Sequence, residues 1–369
     1  MPPGNKGRTM PEHYQNRASF RFNAARTVAT PISTAEQSIE KLYGNGFICS
    51  IDFNAADKKT DVIADPEDQS NIRSLAESLN YSDLNDALSN PTDIRIADHI
   101  RSSLDTVSIE NIHLKSEPNK GVNLRQSQGQ SNPTIWQSFR LESAHQLPNV
   151  AADHKCSRMH GHGFTVALHH KLPDRDSAFN YASIENLWQP IKDKLNYACL
   201  NDFKGLENPT SENLCSWIAE KIKADTDSLA AVTVLETPTS GCQYDGDVHT
   251  TWKDFTIDCA LESNNSGKYL YGHTYLIRIY VQGDLDPVYG WTVDFGDIKS
   301  LFDKHGASLD HYNITREHGI NNSADLASYL FKALQDSLPK LVRIDVLHKP
   351  GQGVLSFSPA THSRQLLEI

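Results

Sequence analysis

The sequence predicts an α+β protein: three tandem ββααββ units whose strands close a twelve-stranded antiparallel barrel, with the helices outside. The first observation behind this is internal repetition, which decides the fold of a chain before any other signal does. Ser19–Arg26 reads SFRFNAAR, Ser138–His145 reads SFRLESAH and Asp254–Leu261 reads DFTIDCAL. Three further landmarks follow in the same order. They are YGNGFICSIDF from Tyr43, HGHGFTVALHH from His160 and YGHTYLIRIYV from Tyr271; then LNYSDLND from Leu79, LNYACLND from Leu195 and LDHYNI from Leu309; then NPTDIRIADHI from Asn90, NPTSENLCSWI from Asn208 and NNSADLASYLF from Asn321. The second observation is geometric. A four-stranded sheet with two helices covers one face and leaves open edges, so three copies in one chain satisfy each other by closing edge to edge.

Each unit opens with two β segments, because FICSIDF and LIRIYVQG carry the β-branched and aromatic residues of strands. A helix is expected over Ser183–Tyr197, where Ile184, Leu187, Trp188, Ile191 and Leu195 share one face and Ser183 is placed as the N-cap. A second helix is expected from Ser211, with Leu214, Cys215, Trp217, Ile218 and Ile222 as its buried stripe. Two more β segments close the unit, as in AAVTVLET from Ala230, or VRIDVLHK and GVLSFSP in the third copy. Ser127–Thr134 and Gly246–Thr251 are short and polar and contain Gly or Pro, as linkers should. The reading is therefore a flexible tail at 1–16, a degenerate first repeat at 17–130, a second at 134–246 and a third at 250–369.

Composition narrows the function. Lys and Arg total 35 against 46 Asp and Glu, for a net charge of -11, and no Lys/Arg-rich block appears. Nucleic acid is not an expected partner. No window approaches the ~18 apolar residues of a membrane span, and the first residues lack the apolar core of a signal peptide, so a soluble, cytoplasmic protein is expected. The six cysteines form no CxxC pair and are read as reduced thiols.

The chemistry is uneven across the repeats. Only the second holds a metal constellation: His145 ends its first strand, and His160 and His162 open its second. Residues i and i+2 of a strand share a face, and the neighbouring antiparallel strand can set a third imidazole beside them. Three neutral imidazoles leave Zn²⁺ its full charge and an open position, the catalytic arrangement. The matching positions are Arg26, Tyr43 and Asn45 in the first repeat and Leu261, Tyr271 and His273 in the third, so neither is expected to bind zinc, and His273 reads as a solitary remnant. Cys156, in the loop KCSRMHGH between Lys155 and Arg158 and beside the metal, is placed where its thiol pKa should fall. Cys49, Cys199, Cys215 and Cys259 are read as buried structural residues.

The string AHQLP…DHKCSRMHGHGF resembles the zinc and cysteine signature of the 6-pyruvoyl-tetrahydropterin synthase superfamily. Its CxxxHxH spacing is most similar to the 6-carboxytetrahydropterin synthases of queuosine and deazapurine biosynthesis. GWTVDFGDIK from Gly290, LDH from Leu309 and VLET from Val234 resemble further family segments. The resemblance implies the tunnelling fold and Zn²⁺ as cofactor, with Cys156 as the base and Asp310 and His311 as a proton-relay pair. It also implies Glu236 as the pterin anchor, Thr210 on a segment approaching the substrate, and a homodimer of pseudo-trimers. The second repeat has Asn196 and Tyr197 in place of the Asp-His pair and the first has Asn80 and Tyr81, which implies one composite site between repeats 2 and 3. Lys115 and His348 are read as the counterparts of Glu236. The implied activity is lyase action on 7,8-dihydroneopterin triphosphate. A 6-pyruvoyl-type product, a non-catalytic pterin- or purine-binding regulator, and another tunnelling-fold enzyme are the alternatives.

Overall fold

The computed structural model describes residues 13–27, 42–54, 66–104, 108–127, 130–262, 269–349, 351–358 and 366–369. The first repeat comprises β1 (His13–Arg26), β2 (Tyr43–Asn54), α1 (Pro66–Leu79), α2 (Asp93–Ser102), β3 (Ile109–Glu117) and β4 (Lys120–Ser127). The second comprises β5 (Gln130–His145), β6 (His160–Lys171), α3 (Tyr181–Leu195), α4 (Ser211–Lys223), β7 (Leu229–Thr237) and β8 (Ser240–Tyr244). The third comprises β9 (His249–Glu262), β10 (Leu270–Gly283), α5 (Phe295–Gly306), α6 (Ile314–His318), α7 (Ser323–Leu334), β11 (Leu341–Lys349) and β12 (Gln352–Phe357). All twelve strands are antiparallel to their chain neighbours, and β12 pairs with β1 to close the barrel. The expected α+β fold is observed. Its third repeat adds the short α6 where the other two have single 3-10 turns.

Strand limits differ from the sequence reading at the repeat boundaries. Residues 13–16, expected in the tail, belong to β1 and pair with β12, Gln15 and Asn16 with β2 as well; residues 1–12 lie outside the described residues. Most of the expected linker Ser127–Thr134 is strand, because β4 and β5 remain paired to Ser127↔Gln130. Residues 249–251 likewise belong to β9, which pairs with β8 from Tyr244↔His249. A closed ring leaves no edge unpaired, so the inter-repeat hairpins zip almost to their turns.

The alternation of each strand sorts its side chains into two environments. One set faces the helices: Phe22, Ile51, Phe164, Trp188 and Ile218 belong to a core layer shared by repeats 1 and 2, and Tyr275, Phe302 and Leu330 to the core of repeat 3. Each fully buried aliphatic or aromatic side chain stabilises the fold by about 1.5–3 kcal/mol. The other set faces the bore and is polar, including Arg17, Asp52, Asn123, Gln243 and Arg343. In α3 the expected stripe is buried at Ile184, Trp188, Ile191 and Leu195, but the N-cap is Asn180 rather than Ser183. Asn180 accepts the Ser183 N–H and Ser183 Oγ accepts the Asn180 N–H, a reciprocal capping box that starts the helix earlier. No helix among the described residues is long and apolar enough to cross a membrane.

Candidate metal centre and active site

The β5–β6 register places His145 directly opposite His160 and Ser143 opposite His162. The rings of His145 and His160 stand 4.5 Å apart, and those of His160 and His162 5.0 Å apart. A carboxylate joins them from β7. The pairing of β7 with β8 shifts register between Leu235 and Thr237, so Glu236 is the extra residue of a β-bulge, a device that re-aims a side chain. One ligand atom from each of His145, His160, His162 and Glu236 lies within 4.8 Å of all the others.

Hydrogen bonding fixes which ring nitrogens face the centre. His145 Nδ1 is 3.0 Å from the Pro209 carbonyl and His160 Nδ1 is 2.8 Å from that of Arg158. Carbonyls only accept, so both Nδ1 atoms carry the proton and both Nε2 atoms are free bases. His145 Nε2 is buried with no hydrogen-bond partner; His162 Nε2, 3.0 Å from Glu236 Oε1, is close but not aligned as a hydrogen bond. Convergent imidazole nitrogens, two of the rings fixed in tautomer by backbone carbonyls behind them, fit a zinc ion. Burial lowers the pKa of His145, which keeps it neutral as a ligand must be. Burial alone would raise the pKa of Glu236, but His162, His145 and the Ser211 hydroxyl outweigh it and hold the carboxyl below its ordinary value.

Cys156 sits in a 3-10 turn, Lys155–Ser157, of the loop joining β5 to β6. Its carbonyl accepts the Leu147 N–H and its own N–H goes to His154 Nδ1. The chain's own groups, taken without the zinc charge on which the expected fall partly rests, push its thiol pKa up. Burial raises it, and the carboxylates of Glu236 and Asp294 add to the rise against the opposing Lys155. The sequence reading counted the adjacent cations and missed the two carboxylates that the fold brings in.

Repeat 3 completes the walls. His154 Nε2 lies 3.3 Å from Asp294 Oδ2 and its ring packs on Trp291. Lys253 of β9 donates to Ser240 Oγ, and burial together with Lys155 and Lys299 depresses its pKa. Glu212 of α4 accepts from the Thr251 hydroxyl and the Thr292 N–H, both of repeat 3. Burial pushes its carboxyl up to about 7. Sequence reasoning missed His154, Asp294 and Lys253. The adjacency of His154 to Cys156 was a usable signal; the others become visible only when β8 pairs with β9. Thr210, expected near substrate, has its hydroxyl committed elsewhere. It donates to the Gly290 carbonyl and accepts the Asn213 N–H, capping α4 and holding the repeat boundary.

Asp310 and His311 do not join this cluster. Asp310 Oδ2 pairs with His311 Nδ1 at 3.0 Å, and the imidazole is 76% exposed. The position recurs in all three repeats. Asn80, Asn196 and Asp310 each accept a backbone N–H from the first strand of their repeat, at Asn23, Glu142 and Asp258. The residues that follow, Tyr81, Tyr197 and His311, all have positive φ, near 60°. Asp310 Oδ1 thus does the structural work of the two asparagines, and only Oδ2 and the imidazole are particular to repeat 3.

The other two counterparts of the metal position are filled differently. In repeat 1, Arg26 bonds Asp93, which also accepts from Ser116 and from Tyr181 of repeat 2. In repeat 3, His273 is not solitary: its ring lies 5.5 Å from that of His348. The bulges also correct the first-repeat counterpart of Glu236. Equivalent register shifts lie between Lys115 and Glu117 and between Leu347 and Lys349, so Ser116 and His348 match Glu236, while Lys115 matches Leu235.

A closed ring of ββααββ units with a three-histidine centre at one strand end defines a protein of the tunnelling-fold class. The family model described as 6-pyruvoyl tetrahydropterin synthase matches residues 134–247 and again 249–356, together more than half of the chain, and the chain belongs to that family. Over 119 residues it is 36% identical to the 6-carboxy-5,6,7,8-tetrahydropterin synthase of Synechocystis sp., a match covering 30% of this chain and 91% of that one. It is 29% identical over 121 residues to the protein of the same name from Bacillus subtilis, covering 29% of this chain and 80% of the other. Among solved structures, the 6-pyruvoyl tetrahydropterin synthase of Caenorhabditis elegans aligns with 22% identity and a TM-score of 0.29, covering 31% of this chain and 95% of that one.

Proposed function

We propose that the chain is a zinc-dependent pterin synthase of the 6-carboxytetrahydropterin type, a lyase acting on 7,8-dihydroneopterin triphosphate at one site carried by repeat 2 and completed by repeat 3. The observation that carries this reading is the convergence of the His145, His160 and His162 rings beside Cys156 and Glu236. His145, His160 and His162 would hold the zinc, and the chemistry it would supply there is Lewis-acid polarisation of the substrate's side-chain oxygens, making the adjacent C–H more acidic. Cys156, as thiolate, takes that proton. Glu236, already ionised, accepts the paired N–H groups of the 2-amino-4-oxo pterin edge. Lys155 from one repeat and Lys253 from the other are positioned to balance a triphosphate. His311, with Asp310 behind its Nδ1, moves protons on the exposed side. A reducing cytoplasmic setting suits the six free thiols.

We also propose that two chains stack end to end. Tyr43, Tyr81, Met159, Tyr197, Leu270 and Tyr312 are exposed apolar side chains at the barrel end where the first strand of each repeat finishes and the second begins. All three repeats contribute, as a closed two-fold interface over a three-fold ring requires. Sedimentation should give a dimer that Tyr81→Asp with Tyr197→Asp converts to monomer.

The activity is tested by incubating the zinc-loaded protein with dihydroneopterin triphosphate and following acetaldehyde and the pterin product. Turnover that Cys156→Ala lowers by about a hundredfold or more supports the reading, in line with the loss of a general base. No turnover, or turnover indifferent to Cys156, overturns it.

A further inference from the structure

Residues 366–369 lie inside the barrel. Their partners come from opposite sides of the ring: Arg17 of β1, Asn123 of β4, Gln243 of β8 and Arg343 of β11. A segment this short can reach strands so far apart around a closed ring only by occupying its bore. Gln243 reads the backbone of Leu367 twice, donating to its carbonyl at 2.9 Å and accepting its N–H at 3.0 Å. Asn123 donates to the Glu368 carbonyl at 3.1 Å. The Glu368 carboxylate accepts from Arg17 at 3.1 Å and from Arg343 at 3.4 Å.

The site is built rather than incidental. Arg17 and Arg343 are 94–95% buried, and each already holds an aspartate in a two-bond fork, Asp52 and Asp345. Their remaining donors converge on one point of the bore, where His113 of β3 also stands near. The segment divides the interior. It borders a cavity of about 270 Å³ with Trp136, Arg278 and Tyr280, and a second of about 110 Å³ with Arg17 and His113. Leu366 and Leu367 close the inner end of a wider cavity of about 930 Å³ that includes Lys171, Asp227 and Gln282.

We propose that the lumen is a binding site for an extended, carboxylate-bearing peptide, and that residues 366–369 are its ligand in cis, a plug that bars the bore and ties all three repeats together. The recognition has two parts, amide forks for the peptide backbone and a pair of arginines for the glutamate. Burial by itself would raise the Glu368 pKa, but Arg17, Arg343, His113 and Arg278 overcome it and bring the carboxyl to about 2, so the ligand is charged at any physiological pH.

The test uses the full chain and two readouts, amide hydrogen exchange of 366–369 and thermal midpoint with added acetate as the probe. The Leu367 amide should be protected in the wild type and should exchange at least about tenfold faster in Glu368→Ala and in Gln243→Ala, the weight of one charge-assisted or forked hydrogen bond. Acetate should raise the midpoint of Glu368→Ala more than that of the wild type by refilling the arginine pair. Where Glu368→Ala yields too little folded protein, Glu368→Gln and Gln243→Ala carry the exchange arm. Leu367 exchange in the wild type at the rate of an unstructured peptide overturns the plug, and an acetate effect equal in both proteins overturns carboxylate recognition.

Discussion

The imidazole of His154 bridges two repeats: its Nδ1 accepts the Cys156 N–H at 3.2 Å while its Nε2 lies 3.3 Å from Asp294 across the boundary. Asp294 uses its other oxygen to cap α5 through the Gly296 N–H. One aspartate of repeat 3 therefore orients the turn that presents the candidate base of repeat 2, and its charge raises the Cys156 pKa. Asp294→Asn keeps a capping oxygen and removes the charge. The Cys156 thiol should then be more acidic, and iodoacetamide should modify the zinc-free variant faster than the wild type at pH 7. An unchanged rate would show that the carboxylate is not felt at the sulfur.

Asp310 separates structural from chemical duty. Asn80 and Asn196 perform the same backbone contact in the other repeats. Asp310→Asn should therefore leave the thermal midpoint within about 2 °C of the wild type, as for a surface change of a few tenths of a kcal/mol. Turnover should fall by roughly ten- to a hundredfold if the pair relays protons. Because His311 faces solvent near the proposed stacking end, mixing Cys156→Ala with His311→Asn chains is informative. Recovery of activity on mixing would place the relay between chains rather than between repeats 2 and 3 of one chain.

In repeat 1 the metal position has become a structural ion pair. Arg26 and Asp93 have side chains only 6% and 4% exposed. Removing one partner strands the other charge, so Arg26→Ala should cost about 3–5 kcal/mol in chemical denaturation. Zinc content and turnover per folded chain should not change. A loss of zinc would mean that repeat 1 takes part in the metal site.

Glu212 gives stability a pH dependence of known sign. Its folded-state pKa of about 7 lies above the ordinary carboxylate value of about 4.3, so the folded chain holds the proton more tightly. Its contribution is fully present below about pH 4.3 and is lost as pH rises through about 7. Glu212→Gln keeps an acceptor for Thr251 and Thr292 without the charge. The variant should gain stability relative to the wild type between pH 5 and pH 8, measured by urea unfolding; a constant difference across that range would contradict the burial argument.

The repeats, the barrel and the three histidines were legible because each rests on local pattern: recurring strings, strand alternation, and an i, i+2 pair on one strand. Glu236 and its third-repeat counterpart His348 were legible, but its first-repeat counterpart was not. The bulge that aims it adds one residue to a strand, and aligning strings without that residue gave Lys115 instead of Ser116. Asp310 was read as particular to repeat 3, and half of its role proved common to all three. The contributions of Asp294, Lys253 and Glu212, and the insertion of residues 366–369 into the bore, depend on contacts between segments remote in sequence. No periodicity records such contacts.

Of the three copies of one unit, repeat 2 alone is proposed to hold a metal centre. Zinc content per chain, measured by plasma mass spectrometry after dialysis against trace-metal-free buffer, tests it most directly. About one zinc per 369-residue chain is expected in the wild type and close to none in His162→Ala, with the variant still folded. Two or three zinc ions per chain, or a stoichiometry unaffected by His162→Ala, would contradict it.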